Sequence, residues 1–583
     1  MFKVLRYFKT KEWLLVCGCA AFVVLEVFIE LKMPEYVGKI TACMTSGAPI
    51  REVWINGAYM LACAFGAAAS LLIVGFLAAM LGARLAKKLR EEIYNRVMEF
   101  SLADINRFSM ATLITRSTND VTQVQFTFAM GAQFLFRAPV LAIWAIVKVA
   151  QKQWQWTALT VGAVASLIIM SVLIIFIALP KFKKIQEMTD DVNRIMREQL
   201  TGVRVVRAYN AEEYSLKKFG AANDDLTRVN LSVNRALITI NPMMNIVMSG
   251  VSIGVFWIGA VLIQAATGGA RLMLFSDTME MLQYSMQVLS GFLMLVMCFI
   301  MTPRALIAAK RITDVLLVEP SVADPVSPAE IPEAKGEVEF CDVSFRYPDA
   351  SDDALSGISF KAERGQTVAF IGATGSGKTS LINLIPRFYD VTGGTVKVDG
   401  VDVRNYRQSD LRKKIGYVPQ KAVLFSGDLY ENVNYGDGAD ERGEDDVRRA
   451  LEIAQAADFV SEMEGELHAP IAQGGTNVSG GQRQRLAIAR AVCRNPEIYI
   501  FDDSFSALDF KTDKKLRAAL GEATENATKF IVAQRVGTIM DADKIIVLDQ
   551  GKQVGEGTHA ELMNNCELYR EIALSQLSQE ELA

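Results

Sequence analysis

The sequence predicts two folds in one chain: a membrane all-α domain of six transmembrane helices with long cytoplasmic helical extensions, fused to an α/β domain built around a glycine-rich loop. Three observations predict it. Six apolar stretches, each long enough at about 20 residues to cross a bilayer, fall before residue 305. A proline-rich break follows them. Beyond it, short Val/Ile/Phe runs alternate with helical stretches and Gly-rich turns, and one such run leads into a glycine loop that opens a helix.

Composition agrees. Of 583 residues, 51% are hydrophobic, yet 22% are charged, as expected when half a chain lives in lipid and half in water. Mean hydropathy is +0.22. The formal net charge of −4 argues against a nucleic-acid partner. The eight cysteines are scattered, and Cys17 and Cys19 lack the companions a zinc site needs, so all are expected as buried free thiols. The apolar run after the basic start is too long for a cleavable leader and reads as the first membrane helix.

The spans are expected near Trp13–Leu31, Val53–Leu81, Thr127–Val149, Thr157–Leu179, Leu237–Ala265 and Asp277–Thr302. The third carries Arg137 and the sixth Glu280. Basic residues cluster on alternate connections. Lys3, Arg6, Lys9 and Lys11 precede the first span, Arg84 to Arg116 lie between the second and third, and Lys181 to Lys218 lie between the fourth and fifth. The other connections hold few, such as Lys39, Lys152 and Arg271. This bias puts both termini and the two long connections in the cytoplasm. Those connections have helical apolar spacing and little Gly or Pro, so the membrane helices are expected to continue beyond the bilayer, with the short link at each tip facing another domain. The expected division is a transmembrane domain over 1–317, a linker over 318–335 holding Pro320, Pro325, Pro328 and Pro332, and the α/β domain over 336–583.

In that second domain, the apolar run Thr367–Ile371 leads into Gly372, Ala373, Thr374, Gly375, Ser376, Gly377, Lys378 and Thr379, with Ser380 starting a helix. Strand, loop and helix in this order make a P-loop: backbone N–H groups wrap phosphates, Lys378 pairs with the β- and γ-phosphates, and Thr379 coordinates Mg²⁺. A second apolar strand, Ile498–Asp502, ends in a carboxylate placed to hold the same ion. ATP and Mg²⁺ are therefore the expected cofactors.

Between these strands lies Ser479-Gly480-Gly481-Gln482, opening another helix. With Gln420 in a YVPQ stretch, Ser506–Asp509 after the second strand, and Tyr347 upstream of the P-loop, the set resembles the ABC ATPases in order and spacing. The first half resembles their six-helix exporter domain, with Thr115–Val121 and Arg197–Arg207 similar to its cytoplasmic extensions. The resemblance spans nearly the whole chain. It implies a half-transporter of multidrug type in a bacterial cytoplasmic membrane, which exports a drug, lipid or peptide as a dimer. It also implies that Tyr347 stacks on adenine, that Gln420 joins Thr379 and Asp502 at the metal, and that Ser479–Gln482 completes the partner chain's ATP site.

Two departures from the family pattern concern hydrolysis. The family usually has Glu as general base after the Asp that ends its Walker B strand, here Asp502 at the end of Ile498–Asp502, whereas this chain has Asp503, one methylene shorter. The family's switch histidine is here Gln534, and His468 and His559 are not placed to replace it. Both losses fall on this chain's own Walker site, which implies a heterodimer whose competent site uses this chain's signature. A homodimer with two slow sites, and an ATP-gated regulatory or channel-like subunit, remain as alternatives. Gln473-Gly474-Gly475 also departs from the usual Glu-Arg-Gly.

In the membrane half, Glu26 and Glu30 share one helix face. They either line a path for a cationic substrate or pair with Lys32 or Arg137. Met243, Met244, Met248, Met279, Met281, Met286, Met294 and Met297 serve either as an adaptable cavity wall or as core filling.

Overall fold

The computed structural model describes residue 8 and residues 10–330 and 335–576. Lys3, Arg6, Lys9 and Pro332 lie outside the described residues, as does the side chain of Met297. The chain forms two compact units, Met1–Arg96 with Ala111–Val318, and Val97–Met110 with Glu319–Ala583.

The first unit is helical. Ile50–Met98 has 49 residues, and Trp154–Thr201 and Gly269–Leu316 have 48 each. At 1.5 Å per residue such helices run about 70 Å, more than twice the ~30 Å hydrocarbon thickness, so they continue well past a bilayer. Among the described residues, five segments are long and apolar enough to span: Thr10–Thr45, Ile50–Met98, Met110–Ala150, Trp154–Ile174 and Glu212–Ala265. The sixth expected stretch lies inside the helix Gly269–Leu316, where the side chains of residues 297, 299–301 and 303 lie outside the described residues. No more than 28% of any of the five apolar windows is buried in the chain. Trp54, Phe65, Leu72 and Phe76 are exposed along one helix, a surface suited to lipid rather than water.

The helices meet through close contacts. A Cβ on Gly259 would come within 2.5 Å of the Thr278 hydroxyl, so glycine there lets Ile240–Ala265 approach Gly269–Leu316. Buried Trp156 donates its indole N–H to the Val255 carbonyl at 3.3 Å, and the Tyr284 hydroxyl donates to the Leu31 carbonyl at 3.1 Å.

Several ionisable groups of this unit are paired. Arg137 meets Glu26 at 3.0 Å and Glu30 at 2.8 Å. Lys32 and Lys148 share Glu35, while Lys152 bridges Asp277 and Glu280. Of the two readings of Glu26 and Glu30, the structure shows pairing, with Arg137 and not Lys32 as the partner. Removing one member of a buried ion pair leaves an uncompensated charge, the costly case. Arg137→Ala is therefore expected to lose on the order of 3 kcal/mol, read as a lowered thermal midpoint in detergent. Adding Glu26→Gln and Glu30→Gln should recover most of the loss; no recovery would show that Arg137 acts through packing instead.

The methionines divide similarly. Met281 is fully buried, and Met244, Met248 and Met286 pack on the same core, while Met243 is exposed. All eight cysteines are free thiols, but only Cys19, Cys493 and Cys566 are buried and Cys17 is exposed, so the expectation of uniformly buried thiols is corrected. Cys17 lies on the face of its helix turned from the core, where an apolar thiol tolerates lipid as well as protein.

The second unit has a six-stranded sheet in the order Lys552–Gly557, Lys544–Asp549, Thr367–Ile371, Thr528–Val532, Ile498–Asp502 and Ile415–Val418. All neighbours are parallel except the first pair. Because parallel strands are covered on both faces, Thr528–Val532 and Ile498–Asp502 are buried along their whole length, Lys529 included. A separate antiparallel sheet holds Leu355–Ala362, Val338–Phe345, Gly393–Val398 and Val401–Asp402.

Val97–Met110 groups with this unit, although it follows the first unit's second long helix in sequence. The short helix Leu102–Phe108 is capped by Ser101, and Asp104 closes the capping box. The Asp104 carboxylate also accepts from the backbone N–H of Ser321 at 3.0 Å and from its hydroxyl at 3.1 Å. One buried carboxylate thus ties the tip helix to the start of the proline-rich segment.

Candidate functional site

Three parallel strands end side by side. In register, Val532 faces both Phe370 and Asp502, so the residues that follow each strand converge at one edge. Ligands of open α/β sheets bind outside these carboxyl ends. Here the three continuations are the glycine loop, Asp503 and Gln534.

The loop has the conformation its glycines permit. Gly372 has φ 154°, and a Cβ there would run into the Leu548 carbonyl; Gly377, at φ 99°, would place a Cβ 2.8 Å from the Ala354 carbonyl. Gly375 has φ 86° with open space where a Cβ would be, which leaves its backbone accessible to a ligand. The helix Lys378–Leu384 follows. Lys378 turns its ammonium back on the loop, donating to the carbonyls of Gly372 at 2.7 Å and Ala373 at 2.8 Å and to the Ser376 hydroxyl at 3.3 Å. Burial holds its pKa below the usual lysine range, against the pull of Asp503 and Asp502.

Thr379 donates its hydroxyl to Asp502 at 3.1 Å, so the two proposed metal-binding side chains are adjacent. Burial pushes the Asp502 carboxyl up; the Thr379 hydrogen bond opposes this and neighbouring Asp503 adds to it. A cation would reverse that balance. Among the described residues no three His, Cys, Asp or Glu side chains group as a metal site; Thr379 and Asp502 would hold a Mg²⁺ that takes its other ligands from phosphate and water.

Asp503 is held from three directions. Its backbone N–H donates to the Val532 carbonyl at 3.0 Å. Its Oδ2 accepts from Gln534 Nε2 at 2.7 Å and from Gln420 Nε2 at 3.4 Å. Its φ is +47°, in the left-handed region that Asp tolerates better than longer side chains do.

These groups line one cavity of about 320 Å³ with Tyr347, Ala354, Thr374, Ser380 and Val532. The hydroxyls of Tyr347 and Ser380 share a hydrogen bond of 2.8 Å, which places the Tyr347 ring beside the start of the loop helix. A buried ammonium, an open glycine cradle and two carboxylates at the strand ends fit a nucleotide triphosphate with its cation.

Ser479–Gln482 does not line this cavity. Ser479 caps the helix Gly480–Cys493, accepting from the Gln482 N–H at 3.3 Å, while the Gln482 side chain accepts from the Ser479 N–H at 2.8 Å. A Cβ on Gly480 would meet nothing within 4 Å, and one on Gly481 only ordinary contacts. Neither histidine reaches the cavity: His468 faces Asp428 at 3.0 Å and His559 faces the Tyr569 hydroxyl at 2.7 Å. Gln473–Gly475 forms a single tight turn, with Gly474 and Gly475 both at positive φ.

Sequence reasoning missed the left-handed backbone of Asp503 and the Gln420 and Gln534 contacts that converge on it. The spacing of strand ends in the sheet creates both, and no local pattern signals them.

Residues 16–290 match the family model of the ABC transporter transmembrane region, and residues 355–506 match the ABC transporter family model. An uncharacterized ABC transporter ATP-binding protein of Mycobacterium tuberculosis (strain ATCC 25618 / H37Rv) is 40% identical over 88% of this chain and 86% of its own length. An ATP-dependent lipid A-core flippase of Vibrio vulnificus (strain CMCP6) is 31% identical over 83% of this chain and 82% of its own. Among solved structures, a bacterial Atm1-family ABC exporter with ATP bound superposes with a TM-score of 0.81 at 24% identity, covering 97% of this chain and 98% of that one, a likeness of fold.

Proposed function

The chain belongs to the ABC transporter family, as an ATP-driven exporter of the half-transporter type, and we propose that it is the degenerate-site half of a heterodimer. Exporters of this kind work as dimers. In this reading the chain occupies a bacterial cytoplasmic membrane with both termini inside, and the domain limits are 1–317, 318–335 and 336–583. Its cargo is a drug, lipid or peptide; the flippase among its relatives favours a lipid-like amphiphile.

The observation that carries the reading is the Asp503–Gln534 contact. A general base for hydrolysis must reach a water beside the γ-phosphate. Asp503 is a short carboxylate drawn to a glutamine amide at 2.7 Å, with no imidazole lining the cavity. A glutamine can donate a hydrogen bond to phosphate but cannot carry a proton through the step. Bound MgATP supplies the γ-phosphoryl group. The chain's own residues would bind and orient it: Lys378 would pair with the phosphates, Thr379, Asp502 and Gln420 would hold the ion, and Tyr347 would stack on the base. Hydrolysis at this site is slow because neither Asp503 nor Gln534 completes the base.

The signature glycines support the other half of the reading. Gly480 and Gly481 begin a helix, where alanine is the better helix former, and nothing among the described residues requires their lack of a side chain. An external group that approaches the backbone closely, such as a phosphate held by a partner chain, does require it.

The test is the purified chain alone in lipid nanodiscs. Weak ATPase turnover, raised by at least an order of magnitude when a partner half-transporter with Glu and His at the equivalent positions is added, is the expected result. A stable homodimer with full turnover would falsify the heterodimer. A homodimer with two slow sites would turn over weakly yet gain nothing from a partner.

A further inference from the structure

From the end of the last described helix, we propose that Gln576 is a positioning residue for Gln534, through which the C-terminal helix Glu567–Gln576 sets the geometry of the ATP site. The part concerning nucleotide rests on the reading of Gln534 given above.

Gln534 stands where the sheet has just ended. The last strand-type bond on its segment is Ala533 N–H to the Phe370 carbonyl, at 3.2 Å. Beyond it the chain turns through Val536–Thr538, so the backbone groups of Gln534 and Val536 have left the ladder that would otherwise satisfy them. Gln576 satisfies both. Its Oε1 accepts from the Val536 N–H at 2.8 Å, and its Nε2 donates to the Gln534 carbonyl at 2.9 Å. Only a carboxamide both accepts and donates at this spacing; Glu accepts alone, and Lys donates alone.

The clamp has a fixed support. Tyr569 and Ala573, two turns and one turn earlier on the same helix, are fully buried in a core that also holds Val536 and Ile539. The helix therefore cannot swing away without opening that core. A continuous path runs from the core through the helix and the Gln576 amide to the Gln534 backbone, and on through the Gln534 side chain to the Asp503 carboxylate at 2.7 Å. The far end of the turn is held separately, by Arg517 on the Thr538 carbonyl at 3.3 Å, so Gln576 is the contact that addresses Gln534 itself. Because displacements near 1 Å at a reacting centre matter by about 100-fold, a two-point hold on this backbone governs how the amide meets a γ-phosphate.

The decisive variant is Gln576→Ala in the full-length protein. Amide hydrogen exchange of the segment 534–538 without nucleotide is expected to speed up about five- to tenfold, the factor for one net hydrogen bond, while the peptides around Tyr569 stay protected. Gln576→Glu keeps the acceptor and should keep the Val536 amide slow. Binding of the magnesium complex of ATPγS should weaken about threefold or more in Gln576→Ala, and Gln576→Ala should add nothing further in a Gln534→Ala background. Unchanged exchange at 534–538, or exchange rising equally around Tyr569, overturns the clamp. Faster exchange with additive rather than redundant effects on nucleotide binding overturns the link to Gln534. If exchange responds as expected while Gln534→Ala alone leaves nucleotide binding untouched, the clamp stands and the role assigned to Gln534 fails.

Discussion

Gly480→Ala is expected to abolish turnover of the assembled transporter, by about 100- to 1,000-fold, without harming the fold of this chain. The size is that of losing one preorganised donor to a reacting anion. The direction follows from two facts that pull apart. A Cβ at position 480 meets open space, and alanine at the start of the helix Gly480–Cys493 restricts the unfolded chain more than glycine does. Stability should therefore stay level or rise by up to about 1 kcal/mol. The only loss is in what approaches from outside. The check is paired: a thermal midpoint for the variant, and steady-state phosphate release with its partner. Gly521→Ala is the control, since Gly521 also has open space at its Cβ but lies in the helix Phe510–Ala523 away from the signature. It should leave turnover within about twofold of the parent. A Gly480→Ala dimer that still turns over at the parent rate would remove the signature of this chain from the competent site.

What was legible in the sequence depended on contiguity. The glycine loop, the Ile498–Asp502 strand and the Ser479–Gln482 helix start are each one local element whose chemistry and backbone geometry are written in neighbouring residues, and the structure brings the first two to one cavity as their order implies. The long helices were legible because an apolar run has a length that a bilayer dictates. The partners of the charges were not. Arg137 meets carboxylates more than a hundred positions away, and two choices, Lys32 or Arg137, looked equal until the helices were packed. Position 97–110 reads as part of a long helical hairpin, yet the Asp104–Ser321 bonds and the packing of Ala103 place it with the second unit. Gln576 gave no signal at all: a glutamine at a helix end is ordinary, and its meaning comes from a turn 40 positions upstream. Asp503 was legible as a short carboxylate but not as one with left-handed backbone.

That backbone shapes the second large effect. Asp503→Glu with Gln534→His is expected to raise hydrolysis at this chain's own Walker site by about 100- to 1,000-fold, the lower part of what a positioned general base supplies. The single changes should do much less. Asp503→Glu extends the carboxylate by one methylene, but the Gln534 amide, now 2.7 Å from Asp503, still draws it away from a water. A glutamate at φ +47° is also less comfortable than an aspartate, at a cost of about 1 kcal/mol. Gln534→His alone restores a group that can carry charge but leaves the base short. Because the two side chains touch, the double variant should exceed the product of the singles, and that excess is the signature of a dyad. The measurement needs the partner's site silent, and Gly480→Ala provides this, because it removes the signature that completes the partner's site while leaving this chain's P-loop intact. In that background the parent should release almost no phosphate and the double variant should release it steadily. Continued silence of the double variant would mean that the slow step lies elsewhere in this site, with Gln420 the next group to examine, since its amide also reaches the Asp503 carboxylate, at 3.4 Å.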